Sequence, residues 1–382
     1  MKIRTLPVFL AFLAMGFGDA VGPFVSLAKD QFHLSNAVAS LIPFVGFSMF
    51  GLLSVPMGVF QDRRGKKTVL TLGLVVALVG MLNASFGLTT FVRFLLTVLL
   101  LDAGAAILQV AGNPIMLDVS APGKGARNLS FGQFVKAIGS LSAPIIPWAA
   151  GRYFHASWQI MFPIYAVALA ITVLAVATLL KVKPDSGERK SATVASCLAL
   201  LANGYVLAMV GAIFFYVGAE GCMSANIPLF LKEQFNIDIA RLGLLGTGLF
   251  FTALTIGRFS GGVILNWMAP RKFLALTCAV SIVGLLGLFL PTAAFAVAAC
   301  FVAGLGFANI FPLIFSTAVE ALPQHANALS GLMITAIVGG AILPPLMGVV
   351  ADHSSVLIGF VVPLAAIGYV TAAGLFAKPQ AV

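Results

Sequence analysis

Charge is what this sequence lacks most. Only 9% of its 382 residues are Asp, Glu, Lys or Arg, and just 12 of them are acidic. Soluble domains carry about a quarter charged residues, so a water-facing globular surface is excluded. There are four cysteines, Cys197, Cys222, Cys278 and Cys300. Each stands inside an apolar run with no metal-ligand spacing, which fits small packing residues rather than a disulfide framework or a metal centre. No phosphate-binding glycine loop and no nucleophile–base constellation occurs, so no cofactor is implied and neither ATP hydrolysis nor another enzymatic hydrolysis fits. No stretch between apolar runs is long enough to form a soluble domain that would relay a signal, which counts against a sensor or scaffold. What the chain has in excess is apolar surface: 60% hydrophobic residues and 39 glycines, with a mean hydropathy of +1.07. Apolar runs long enough to cross a hydrocarbon core of about 30 Å recur along the whole length. Glycine and alanine suit close helix packing in lipid, where no hydrophobic force drives association. The composition specifies an all-α membrane protein whose partner is the lipid bilayer.

The runs predict twelve transmembrane helices, at 6–28, 36–60, 67–87, 91–117, 128–150, 158–180, 197–231, 240–267, 271–290, 293–317, 327–350 and 356–377. The basic start and first apolar run would suit a cleaved signal peptide, but Asp19 interrupts the run and eleven further spans follow, so it is expected to stay as the first span. The longest segment between spans, Lys181 to Ser196, is polar. It predicts an N-terminal six-helix bundle (1–180), a cytoplasmic linker (181–196) and a C-terminal six-helix bundle (197–382). A net charge of +10 would fit a nucleic-acid partner, yet the basic residues fall in alternate loops. They are Lys2 and Arg4, Arg63 to Lys67, Lys124 and Arg127, Lys181 to Lys190, and Arg271 with Lys272. The opposite loops hold scattered Lys29, Arg93, Arg152, Lys232 and Arg241. That is the positive-inside pattern; it predicts both termini in the cytoplasm and no nucleic-acid partner.

The two halves repeat. Lys29-Asp30-Gln31-Phe32-His33-Leu34 matches Lys232-Glu233-Gln234-Phe235-Asn236-Ile237; Ala103-Gly104 matches Ala303-Gly304, which sets Gln109 against Asn309; and Ala137-Ile138-Gly139 aligns with Ala336-Ile337-Val338. An offset near two hundred residues at several separate places implies a duplicated six-helix unit, with a solute site near mid-membrane.

Polar residues inside spans are the candidate site. Asp102, Gln109 and Asn113 share one stripe of the fourth span by helical spacing. A charged side chain at the bilayer centre costs about 2.5–3.5 kcal/mol on insertion scales, so the stripe turns inward. Gln133, Lys136 and Ser140 make a second stripe in span 5. Lys136 has three readings: a neutralising partner of Asp19 or Asp102, a switch released when that pair breaks, or a site for an anionic group. Glu220 lines the cavity or caps packing near the outer face. Asn309 gains weight as the repeat-mate of Gln109, while Asn226 is a weaker candidate. Phe311, Tyr216 and Trp148 could stack on the apolar face of a solute ring or serve as packing and interface anchors. His155, His325 and His353 are expected in loops, and Arg258, near the end of span 8, is expected to serve the loop that follows it.

Two resemblances sharpen this. Gly58-Val59-Phe60-Gln61-Asp62-Arg63-Arg64-Gly65-Lys66-Lys67 resembles the loop motif of the major facilitator superfamily, between spans 2 and 3 as in that family. A worn copy follows span 8: Gly262, Asn266, then Arg271 and Lys272. The resemblance implies that Gly58, Asp62, Arg63, Gly65 and Lys66 are gating residues. More narrowly, five pieces look like the fucose–galactose–glucose symporter branch. They are Leu108 to Pro114; Arg127-Asn128-Leu129 with Gln133; Tyr216-Val217-Gly218-Ala219-Glu220; Phe311 to Ser316; and Gly339-Gly340 with Pro344-Pro345 and Gly348. The proton-coupled fucose symporter keeps an acid in span 1 and a glutamate in span 4. Here the first falls at Gly22, one turn from Asp19, and the second at Gln109, which cannot titrate. Proton coupling therefore does not carry over residue by residue; Asp19, Asp102, Lys136 or Glu220 would carry it, and sodium stands beside protons.

The expectation is a monomeric secondary transporter of the bacterial inner membrane that takes up a neutral hexose by alternating access. Gln109, Asn113, Gln133, Lys136, Asn309 and Glu220 are the expected sugar ligands, and Asp19, Asp102 and Lys136 the coupling groups. A sugar-acid or other organic-anion symporter using Lys136 is one alternative. A drug or metabolite efflux antiporter is another, because Gly139-Ser140-Leu141-Ser142-Ala143-Pro144 partly resembles the antiporter motif.

Overall fold

Long apolar runs with no water to satisfy their backbone can only be helices, since every N–H and C=O must then bond within its own segment. The computed structural model, which describes residues 5–19, 27–29, 31–39, 41–88, 90–181, 193–237 and 247–377, is helical throughout and has no strand among those residues. The first half holds α1 (Leu6–Gly18), α2 (Leu41–Arg64), α3 (Lys66–Ser85), α4 (Phe91–Asp118), α5 (Gly125–Phe154) and α6 (Met161–Leu179). The second half holds α7 (Gly204–Phe235), α8 (Thr247–Ile264), α9 (Pro270–Gly287), α10 (Ala293–Phe307), α11 (Ile310–Ala321), α12 (Ala326–Thr335), α13 (Gly339–His353) and α14 (Val361–Phe376). Among the described residues ten spans are long and apolar enough to cross a membrane, and Leu6–Gly18 and Leu249–Ile264 are shorter apolar helices. The basic residues Lys2, Arg4 and Arg241, the position Gly22, and 182–192 of the expected linker lie outside the described residues.

The spans expected at 293–317 and 327–350 are interrupted. The first breaks between α10 and α11 at Ala308–Asn309. Pro312 stands in the first turn of α11, where its missing N–H has no intrahelical partner to lose. The second span passes through a 3-10 turn, Ala336–Val338, between α12 and α13. His353 closes α13 instead of lying in a loop.

The residues pack as two units. The first comprises Met1–Ala121, Val135–Cys197 and His325–Thr335; the second comprises Pro122–Phe134, Leu198–Gln324 and Ala336–Val382. Each unit therefore takes one short segment from the opposite half of the sequence: α12 packs in the first, against α2 and α4, and the start of α5 in the second.

Glycine crossings fix the helix positions inside each unit. In the first, a Cβ on Gly16 of α1 would strike the Lys136 carbonyl, and one on Gly139 of α5 would strike the Leu13 carbonyl. In the second, a Cβ on Gly339 would strike the Phe214 carbonyl of α7. Gly139 therefore corresponds to Gly339, which moves the expected repeat alignment at this place by one residue. The Lys-x-Gln-Phe repeat also has a structural meaning. Its fifth residue is left-handed in both copies, His33 with φ 51° and Asn236 with φ 53°. The following N–H folds back, from Leu34 to the Lys29 carbonyl at 3.1 Å and from Ile237 to the Leu231 carbonyl at 3.2 Å. Both copies are helix C-terminal caps, at residue types that tolerate positive φ.

Candidate functional site

The Gly16–Gly139 crossing brings the C-terminal end of α1 against the middle of α5 in the first unit. Lys136 Nζ lies 3.3 Å from Asp19 Oδ1, and Ser140 Oγ donates to Asp19 Oδ2 at 2.5 Å. Asp19 is thus the partner of Lys136. Asp102 of α4 sits elsewhere: a Cβ on Gly46 of α2 would strike its carboxylate, and one on Gly18 would come 3.0 Å from Oδ1. Only glycine at both places leaves room for this carboxyl. Asp102 is 2% exposed, and its Oδ2 has no hydrogen-bond partner. Asp19 and Lys136 both act on it through space.

The rest of the α4 stripe is as buried. Gln109 and Asn113 are 3% and 0% exposed, and neither amide atom of Asn113 finds a partner. Buried amides without partners are rare in folded proteins and mark places where a ligand or water completes the bonding. Gln133 is also buried, with Nε2 unpartnered, but it belongs to the second unit while Lys136 belongs to the first.

In the second unit Glu220 Oε1 of α7 accepts from Arg258 Nη2 of α8 at 3.3 Å. The expectation that Arg258 serves the gating copy gives way to this pair. Asn309, at the break before α11, donates from Nδ2 to the Gly257 carbonyl at 2.7 Å; its Oδ1 is buried without a partner. Asn226 spends its amide on the Cys222 carbonyl of its own helix. Phe311 stacks on Phe315, and Trp148 is exposed with its ring edge on Tyr153.

The loop motif is built into the first unit. Gly65, with φ 83°, turns the chain between α2 and α3. Lys66 Nζ reaches Asp118 Oδ2 at 2.5 Å, and Lys67 donates to the Ala177 and Leu180 carbonyls at 2.9 Å each. These lysines fasten the ends of α4 and α6, so they do more than mark topology. Arg63 is exposed. Asp62 Oδ1 accepts from Asn327 Nδ2 at 2.5 Å, and Gln61 Nε2 donates to Asn327 Oδ1 at 2.8 Å. Asn327 was not among the sequence candidates. Its signal was Ala126-x-x-Leu129-Ser130 against Ala326-x-x-Leu329-Ser330, an offset of two hundred that sets Asn327 opposite Arg127.

The described residues contain no group of three or more His, Cys, Asp or Glu placed to hold a metal ion. Buried charges and orphaned amides on glycine-packed spans are the equipment of a solute pathway, and the profile of the Major Facilitator Superfamily matches residues 8–345. The chain belongs to the major facilitator superfamily. Members are multi-pass membrane transporters, not enzymes. A glucose/galactose transporter of Brucella abortus is 29% identical over 359 residues, covering 91% of this chain and 87% of that protein. The L-fucose-proton symporter of Escherichia coli is 24% identical over 369 residues, covering 85% and 81%. The crystal structure of the E. coli fucose:proton symporter FucP superposes with a TM-score of 0.85 at 18% identity, covering 99% of each chain. That likeness gives this chain the major facilitator fold.

Proposed function

We propose that this chain is a secondary active transporter that takes up a neutral hexose of the glucose, galactose or fucose type by alternating access, driven by a proton or sodium gradient. The names of its relatives support the sugar class. The observation that carries the coupling is Asp102. Lys136 is already paired with Asp19, whose other oxygen accepts from Ser140, so its charge is compensated. Asp102 is the buried acid with an oxygen still open. A cation arriving there removes the cost of a bare carboxylate within the membrane, and the helices around Gly18 and Gly46 are then free to shift. Asp19 and Lys136 act as the second coupling element, a pair that holds α1 against α5 until the cation binds.

The sugar ligands are the amides Gln109, Asn113, Gln133 and Asn309, with Glu220. Hydroxyls both donate and accept, and an amide offers both. Lys136, bound to Asp19, is a poor site for an anion, which weighs against the sugar-acid alternative. Gly58, Asp62, Arg63, Gly65 and Lys66 form the gate, with Asn327 as the group Asp62 holds. The organisation is twelve helices in two bundles, 1–180 and 197–382, joined by a linker at 181–196. The protein is a monomer in a bacterial inner membrane with both termini in the cytoplasm.

Uptake of a labelled hexose panel into vesicles, with proton and sodium gradients imposed separately, tests this reading. Wild-type protein should accumulate at least one hexose under one gradient only. Asp102→Asn should keep hexose exchange but lose gradient-driven accumulation. No exchange of any hexose would sink the sugar assignment; an unchanged gradient response in Asp102→Asn would remove Asp102 from coupling.

A further inference from the structure

The Glu220–Arg258 pair has neighbours that a purely structural ion pair does not need. Its side chains are 20% and 12% exposed. Tyr216, one turn before Glu220 on α7, is 1% exposed. Its hydroxyl lies against both charged groups, yet meets neither in ordinary hydrogen-bond geometry. Asn309 packs on the same helix as Arg258: its amide is tied through Nδ2 to the carbonyl of Gly257, the residue before Arg258, and Oδ1 is left over. A guanidinium fork, a carboxylate and a phenol hydroxyl thus gather on α7 and α8, and the α10–α11 break packs an open amide oxygen onto α8. A buried hydroxyl placed against two charges but bonded to neither is satisfied by a third group that brings a donor and an acceptor of its own.

We propose that Arg258, Glu220 and Tyr216, with the open oxygen of Asn309, form a subsite for adjacent hydroxyls of a hexose, in which Arg258 is the orienting donor. This rests on the sugar-transport reading above. Arginine suits the role because its planar fork reaches two neighbouring oxygens at once, with Glu220 accepting from the same hydroxyls. Arginine also keeps its charge throughout the cycle, so Arg258 stays a donor to the hydroxyls at every step. The second unit thereby gains a hydroxyl-reading element of its own, while the coupling groups Asp19, Asp102 and Lys136 belong to the first.

Counterflow of labelled D-galactose and D-glucose in proteoliposomes, with 2-deoxy and 6-deoxy hexoses as competitors, tests the subsite. Tyr216→Phe removes only the unpartnered hydroxyl, so the fold keeps every bond it has. It should raise KM for counterflow about threefold to tenfold, the worth of one neutral hydrogen bond, with the maximal rate little changed. The neutral double variant Glu220→Gln/Arg258→Gln should raise KM more than about tenfold and flatten discrimination among the deoxy sugars, while the gradient response of what remains is kept. Size-exclusion profiles check both proteins, and the Tyr216→Phe result decides where the double variant does not fold. An unmoved KM in Tyr216→Phe, or a double variant that keeps KM and loses gradient-driven uptake, overturns the proposal. If wild-type protein exchanges hexose and the variants match it, the subsite alone is wrong; if wild-type protein exchanges no hexose, the transport reading fails and the subsite fails with it.

Discussion

Two copies of one loop motif end in two different docks. After α2, Gly58 lies against the backbone of α12: a Cβ there would come 2.9 Å from the Asn327 carbonyl oxygen and 3.2 Å from Gly331 Cα. Asn327 then bridges Gln61 and Asp62, and Ser330 Oγ donates to the Val110 carbonyl at 2.7 Å. After α8, the corresponding Gly262 faces a side chain, the ring of Phe131, 2.7–2.8 Å from where a Cβ would stand. Phe131 and Phe134 pack against Phe259 at 6.0 and 5.2 Å. An exposed polar bond runs there from Arg127 Nη1 to Asn266 Oδ1 at 3.1 Å. The first dock is backbone against backbone with a charged acceptor; the second is rings and an uncharged acceptor. The layout occurs in both halves, but where the first copy has the Asp62 carboxylate the second has the Asn266 amide, so the second dock lacks a charged acceptor and should be the softer.

The sharpest break in that comparison comes at Asn327. Asn327→Ala strips the donor from Asp62 and the acceptor from Gln61, leaving a carboxylate and a buried amide unanswered. The expected loss is about 1.5–3 kcal/mol, the range for hydrogen bonds to charged groups. It should appear as a clearly lower midpoint in a thermal unfolding assay with a thiol-reactive dye, since the four cysteines are all buried until the fold opens. Hexose uptake should fall with it. Arg127→Ala, the matching change in the second dock, should move the midpoint much less. Equal losses at the two positions would mean that the carboxylate contributes nothing and the docks are equivalent.

Glycine tests the same contrast with a smaller effect. Gly58→Ala overpacks two backbones that have nowhere to go, a cost of about 1–3 kcal/mol. Gly262→Ala presses on an aromatic ring that can rotate aside, so its midpoint should stay closer to wild type. A Gly262→Ala protein that is as unstable as Gly58→Ala would show that the Phe131 ring is clamped as firmly as backbone.

How much of this was legible in the sequence depends on the range of the physics involved. The spans are local: hydropathy and length give them, and α4 ends at Asp118 against an expected 117. The caps at His33 and Asn236 are local too, and the repeated Lys-x-Gln-Phe announced them. The break at Asn309 was within reach, because Pro312 cannot donate to the Ala308 carbonyl and a helix start two residues earlier suits it. The choice of Asp19 over Asp102 as the partner of Lys136 was not. Both acids satisfy the spacing rules, and the choice is made by the Gly16–Gly139 crossing, a contact between residues 123 positions apart that no periodicity encodes. The same holds for α12 and the start of α5, whose packing in the opposite unit is purely a long-range matter. Sequence leaves Glu220 between lining a cavity and capping packing, and it assigns Arg258 to the second gating copy by position along span 8; only the fold brings the two together.

The smallest expected effect is the most direct test of why the docks differ. Asn266→Asp restores the carboxylate that the second copy lacks, facing Arg127 across the existing 3.1 Å contact. Both groups are exposed there, so the gain should be about 0.2–1 kcal/mol, as for other solvated ion pairs. The unfolding midpoint should rise slightly at low salt and return to the wild-type value in about 1 M salt, where the screening length is near 3 Å. Because the two docks lie in different units and share no residue, the gain should persist unchanged in an Asn327→Ala background. A midpoint that falls, or a gain indifferent to salt, would mean that the Asn266 side chain does not present its oxygen to Arg127, and the softness of the second dock would then belong to the rings alone.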